Sequence, residues 1–217
     1  MHAIPVDQPA TPSQRGTRIL AVMAADVVDY TRLTEVAELE THTRLRSLRV
    51  GTIDPCVVSY RGQVIKNTGD GFLASFDSSM DALRCALEIQ REVPAQEASI
   101  TADRKIRLRI ALNVGEVIVE EEDIYGTSVN VAARLEQFSP PGGIVISDAL
   151  HAIAKSAINV PVEDLGPLEL KNLSRPVHAY SPAAGAGNGE RGRYRTGKPC
   201  SDSRAATGRN RGARRDR

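Results

Sequence analysis

The sequence predicts an α+β fold, a ferredoxin-like sandwich in which helices pack on a mainly antiparallel sheet. Three observations lead there. Short apolar runs bounded by turn residues read as strands. Two pairs of these runs are separated by only a few turn residues, a connection that antiparallel neighbours allow and parallel ones do not. The succession is strand, helix, hairpin, helix, hairpin, helix, strand, helix and then short strands. At 217 residues, 41% hydrophobic and 25% charged, the chain can bury one proper core with some tail left over.

Residues 1–16 are polar and Pro-containing without helix or strand period, so they are expected to be a disordered leader, with the ordered domain spanning 17–182. Arg18 to Ala25 is a short apolar run ending in Asp26, which predicts a buried strand with a carboxylate at its C-terminal edge. From about Thr31 to Tyr60 the pattern is helical, with Leu33, Val36, Leu45 and Leu48 as candidate core residues and Pro55 as the expected kink. Gln63–Lys66 and Phe72–Phe76 flank Asn67-Thr68-Gly69-Asp70-Gly71, whose glycines supply the backbone angles of a tight turn. Ser78 or Ser79 caps a helix with Met80, Leu83 and Leu87 on its apolar stripe, widened by Ala82, Ala86 and Ile89. Ile106 to Val114 alternates apolar and polar residues, and Glu116 to Glu120 is expected to fold back after Gly115 as its hairpin partner. Thr127 or Ser128 caps a helix to about Phe138, which Ser139-Pro140-Pro141-Gly142-Gly143 ends before the strand Ile144–Ile146. Ser147 or Asp148 caps one more helix, and short apolar segments near Val162, Leu165 to Leu170 and Val177 to Tyr180 close the body.

Composition excludes several classes. No apolar run approaches the ~18 residues that span a bilayer, and the N-terminus lacks the apolar region of a signal peptide, so a cytoplasmic protein is expected. Cys56, Cys85 and Cys200 have no CxxC spacing, and the four histidines no metal-ligand spacing, which argues against a disulfide framework and a zinc site. From Ser181 onward ten Arg and Lys face three Asp and Glu; this stretch carries +7, and since the whole chain is +1 the body carries −6. Residues 183–217 are read as a disordered, basic Gly/Arg-rich tail without the aromatic interleaving of a specific nucleic-acid site.

Two aspartates stand out chemically. Asp26 ends an apolar strand and Asp70 sits in a hairpin turn. Carboxylates at exposed ends of neighbouring strands suit Mg²⁺, which takes hard oxygen ligands and shares its shell with waters and phosphates. Ordinary turn aspartates are the alternative that spacing leaves open.

Four segments in order resemble the catalytic domain of class III nucleotidyl cyclases. Leu20 to Thr31 resembles the family's first metal segment and Lys66-Asn67-Thr68-Gly69-Asp70-Gly71-Phe72 its second. Arg109 to Gly115 is similar to its central strand, and Asp123 to Leu135 to its dimer-crossing helix. The resemblance implies an adenylate cyclase that converts ATP to cyclic AMP and pyrophosphate. It gives Asp26 and Asp70, with Val27 among the metal positions, two Mg²⁺ or Mn²⁺ ions per site. The backbone of Val27, Val28, Asp29, Tyr30 and Thr31 would face the phosphates, and Arg109 and Lys171 are candidate phosphate contacts, or else surface charges. Asn130 and Arg134, four apart and so on one helix face, would take the ribose and the charge developing at the α-phosphate, while Val131, Leu135 and Phe138 form a separate apolar stripe. Lys66 and Asp123 would read adenine, whose ring nitrogen accepts and whose amino group donates. In the family the metal aspartates and the Asn/Arg pair come from different protomers, so the resemblance implies a C2 homodimer with shared sites. Asp29 departs from the Gly of many members and puts a carboxylate beside the expected phosphate path.

Overall fold

A computed structural model of the chain describes residues 16–121, 123–155 and 160–183. The expected leader and tail lie outside the described residues apart from Gly16, which is already in a strand, and Ala183. Eight strands form one sheet: β1 (Gly16–Val27), β2 (Gly62–Asn67), β3 (Phe72–Phe76), β4 (Leu108–Glu120), β5 (Asp123–Tyr125), β6 (Ile144–Ser147), β7 (Val162–Leu168) and β8 (Val177–Pro182). Their order is β2-β3-β1-β4-β6-β8-β7, with β5 on β4. Every pairing is antiparallel except β4 with β6, so the expected mainly antiparallel sheet is present. Five helices accompany it: α1 (Tyr30–Leu48), α2 (Asp54–Ser59), α3 (Ser79–Gln96), α4 (Thr127–Leu135) and α5 (Asp148–Ala154). No described helix is long and apolar enough to cross a membrane.

The period of two along β1 divides the sheet into two unlike faces. Ala21, Met23, Ala25 and Val27 join the main core with Leu33 and Leu45 of α1, Val57 of α2, Leu83 and Ile89 of α3 and Leu150 of α5. Each fully buried aliphatic side chain there contributes about 1.5–3 kcal/mol. Leu20, Val22 and Ala24 face the other way, where α4 is, among the described residues, the only helix whose side chains enter the packing, through Ala132, Val131 and Leu135. Asp26 continues this second alternation to the rim of the sparsely covered face.

Several local expectations are corrected. The hairpin after Gly115 does not exist: β4 runs through Gly115 as one 13-residue strand, and its hairpin partner is β5. Gly115 is needed for clearance instead, because a Cβ there would lie 2.3 Å from Ser128 Oγ of α4. The kink in the first helical region falls at Ala37 (φ −158°, ψ 77°); at Pro55 the α-helix is interrupted rather than kinked, giving way to a π turn at Arg49–Ile53 before Pro55 enters the first turn of α2. Val36, just before that break, is 62% exposed and outside the core. Gly126, not Thr127 or Ser128, is the N-cap of α4, and Phe138 leaves the apolar stripe because the helix tightens into a 3₁₀ turn, Glu136–Phe138, that leaves it exposed. Ser78 and Ser147 do cap α3 and α5, accepting from the N–H groups of Asp81 (3.2 Å) and Leu150 (3.3 Å).

Candidate functional site

Asp26 and Asp70 arrive together because β1 and β3 pair at their ends. The register runs to Ala25 opposite Phe72, so Asp26 is the next residue on one strand and Asp70 lies two residues before the other. The turn between β2 and β3 needs both glycines for different reasons. Gly69 has φ +86°, which L side chains adopt at a cost. Gly71 lies so close to β1 that a Cβ would stand 2.3 Å from the Ala25 carbonyl oxygen.

Asp26 is opposite Arg109 across β1 and β4. Arg109 Nε donates to Asp26 Oδ1 at 2.9 Å and Nη2 donates to Oδ2. This is the planar two-point grip that guanidinium makes on carboxylate. Asp26 holds the Arg109 pKa above its usual value despite burial. Arg109 is thus committed along one edge, and only its Nη1 side remains open to a phosphate. Glu136, from the turn after α4, has its Oε1 3.9 Å from Arg109 Nη2. Burial, then the hydrogen bond and charge of Asp26, push the Glu136 carboxyl up to about 8, with Asp70 adding to the effect. Nothing in the local pattern around Glu136 points across to β1, so sequence alone assigns it no part in this group.

The donor set suits a divalent cation. The Asp26 and Glu136 carboxyls flank one guanidinium, Asp70 adds its charge to the Glu136 carboxyl, and the proton favoured on Glu136 relieves an excess of negative charge that a doubly charged ion would also relieve. Among the described residues no three His, Cys, Asp or Glu side chains enclose an ion by themselves. Waters and phosphate oxygens would complete the shell, as Mg²⁺ prefers.

Val27 and Val28 bury their side chains, so only their backbone can face a ligand. Asp29 is the N-cap of α1, in left-handed backbone (φ 53°, ψ 36°), and its side chain caps nothing. The first amides of α1, at Tyr30 and Thr31, therefore lack a side-chain cap, which leaves the helix N-terminus available to an anion.

A second group stands apart from the first. Lys66 Nζ donates to both oxygens of Asp123, at 2.9 and 2.8 Å, on the solvent-accessible side, and lies 5.7 Å from the Tyr125 ring centroid. Burial raises the Asp123 pKa, but hydrogen bonds from Lys66, the Ile124 N–H and Tyr125 outweigh it and hold the carboxyl below the usual range. On α4, Asn130 is exposed and Arg134 half-buried, and neither side chain has a hydrogen bond or ion pair among the described residues. Neither touches Asp26 or Asp70. Lys171 is exposed between β7 and β8, apart from both groups.

A sequence model described as the adenylate and guanylate cyclase catalytic domain matches residues 13–181. A Rhizobium meliloti protein named "Putative adenylate cyclase 3" is 40% identical over 164 residues, which are 76% of this chain and 28% of that protein. The chain therefore spans under a third of that relative. The adenylate/guanylate cyclase/hydrolase from Silicibacter pomeroyi matches with a TM-score of 0.74 at 41% identity, covering 78% of this chain and 98% of that one. The adenylyl cyclase CyaB from P. aeruginosa matches with a TM-score of 0.70 over 82% of this chain and 98% of that one; at 23% identity the likeness is one of fold.

Proposed function

This chain belongs to the adenylate and guanylate cyclase catalytic-domain family, and on that footing we propose that it is an adenylate cyclase, forming 3′,5′-cyclic AMP and pyrophosphate from ATP at sites shared by two copies. The observation that carries the choice of base is the Lys66–Asp123 pair, an ammonium and a carboxylate side by side on the accessible surface. Adenine offers an acceptor to the first and a donor to the second. Guanine reverses the polarity of that edge and would leave both groups mispaired.

Asp26 and Asp70, with the Val27 backbone, would hold two Mg²⁺ or Mn²⁺ ions, which when bound would acidify the ribose 3′-hydroxyl and neutralise the triphosphate. The chain's own residues do the positioning. Arg109 holds the Asp26 carboxylate in place by its two-point grip, and offers Nη1 to a phosphate oxygen. The N-terminal amides of α1 at Tyr30 and Thr31 receive phosphate charge, with Lys171 as an outer contact. Asn130 orients the ribose, and Arg134 meets the charge that develops at the α-phosphate. The 3′-oxygen forms its bond to the α-phosphorus as the bond to pyrophosphate breaks and the hydroxyl proton is lost. No protein nucleophile is involved. Because Asn130 and Arg134 have no contact with Asp26 or Asp70 in one chain, a C2 partner is the natural recipient of the pair.

The test is product formation by the purified chain with Mn²⁺ and either ATP or GTP. Cyclic AMP should dominate, and Lys66→Ala should lower kcat/KM for ATP about 10–100-fold through loss of a charged hydrogen bond. Equal use of GTP, or a Lys66→Ala variant as selective as the parent, would refute adenine reading by this pair.

A further inference from the structure

Arg49 has no part in the chemistry above, yet its contacts converge on the loop that carries Asp70. It opens a π-helical turn, Arg49–Ile53, a widened geometry that recurs at functional sites. Its side chain is 12% exposed and reaches to the β2–β3 turn. There Nη1 donates to the Gly71 carbonyl at 3.1 Å and Nη2 donates to Asn67 Oδ1. The guanidinium carbon lies 5.2 Å from the Phe72 ring centroid, and Asp54 Oδ1 stands 3.9 Å from Nη2.

Asn67 and Gly71 are the two shoulders of the turn, and Asp70 is between them. The turn's own closure is the Thr68 N–H donating to the Gly71 carbonyl at 3.0 Å. Asp70 makes no side-chain hydrogen bond among the described residues, so its direction is inherited from the shoulders. Gly71 in turn abuts the Ala25 carbonyl, one residue before Asp26. The same shoulder that Arg49 grips is therefore the one that sets Asp70 against Asp26.

We propose that Arg49 is a positioning residue, whose guanidinium clamps both shoulders of the turn so that the Asp70 carboxylate stays beside Asp26 where a divalent cation needs it. The inference rests on the reading of Asp26 and Asp70 as the cation site. An arginine serves here because its fork reaches two acceptors at once, whereas lysine brings one point charge.

The test compares Arg49→Gln and Arg49→Lys with the parent, first by amide hydrogen exchange of the metal-free protein. Exchange at the Thr68 N–H should quicken about tenfold in Arg49→Gln, as loss of a charged hydrogen bond predicts, with β1 and β4 unchanged. Mn²⁺ binding in the presence of 3′-deoxy-ATP, which cannot cyclise, should weaken about tenfold in Arg49→Gln and less in Arg49→Lys. In an Asp70→Ala background, Arg49→Gln should add no further loss. Unchanged exchange at Thr68, acceleration spread through β1 and β4, or a loss that simply adds to that of Asp70→Ala would each overturn the proposal. A parent protein that takes up no Mn²⁺ would overturn the cation-site reading and this proposal with it. The parent's binding curve tells that result from a failure of Arg49 alone.

Discussion

Asp29 holds left-handed backbone with φ 53°. An L side chain pays roughly 1–2 kcal/mol there, less for Asp than for most residues, and glycine pays nothing. The place where the resemblance leads one to expect Gly is thus a place whose backbone favours it. Asp29→Gly should raise Tm by about 2–4 °C per kcal/mol relieved, and by removing a carboxylate beside α1 it should also lower KM for ATP. A variant with unchanged Tm and KM would mean that the local hydrogen-bonding habits of Asp already offset the strain. Glu136 makes a second prediction at this scale. Its carboxyl titrates near 4.5 when unperturbed and at about 8 in the folded chain, so between those values the folded state holds the proton more tightly. Its contribution to stability is full below about pH 4.5 and is lost as pH rises towards 8. Urea midpoints of the metal-free protein should fall more steeply from about pH 5 to about pH 8 in the parent than in Glu136→Gln, and parallel profiles would place the proton elsewhere.

At the scale of elements, the pattern around Gly115 misleads in an instructive way. A glycine between two alternating apolar runs is the ordinary mark of a hairpin, and only the helix lying over it discloses the other reason for a missing side chain. Gly115→Ala puts a Cβ 2.3 Å from Ser128 Oγ and 3.3 Å from Ser128 Cβ, so the serine hydroxyl must rotate away and α4 give slightly, at a cost of about 0.5–1.5 kcal/mol. Adding Ser128→Ala should recover part of that loss in thermal unfolding, which it would not do if the alanine were disturbing β4 itself. The break at Ala37 is similar: the helical period continues past it and no Pro or Gly announces it.

For the whole molecule, the decisive feature is that the candidate groups fall into two sets on one chain. Asp26, Asp70, Arg109 and Glu136 gather at the ends of β1, β3 and β4, whereas Lys66 and Asp123 pair elsewhere and α4 presents Asn130 and Arg134 without partners among the described residues. If two copies complete each other, Asp26→Ala and Arg134→Ala chains, each inactive, should regain activity when mixed. Random pairing makes half the dimers mixed with one intact site each, so about a quarter of the parent activity is expected. No recovery after mixing and refolding together would place a complete site within one chain.

Local pattern along the chain was enough for the α+β class, most strand positions, the turn around Asp70 and the residues worth suspecting, and it narrowed each of two helix caps to a pair of candidates. All of these depend on periodicity, turn chemistry or order along the chain. Tertiary structure alone decided that Arg109 spends its fork on Asp26, that Glu136 reaches the same carboxylate, and that Arg49 holds the Asp70 turn. Those pairs lie 83, 110 and about 20 residues apart in sequence. Strand register and helix docking bring them together, and a long-range contact leaves no mark on the local pattern of either partner.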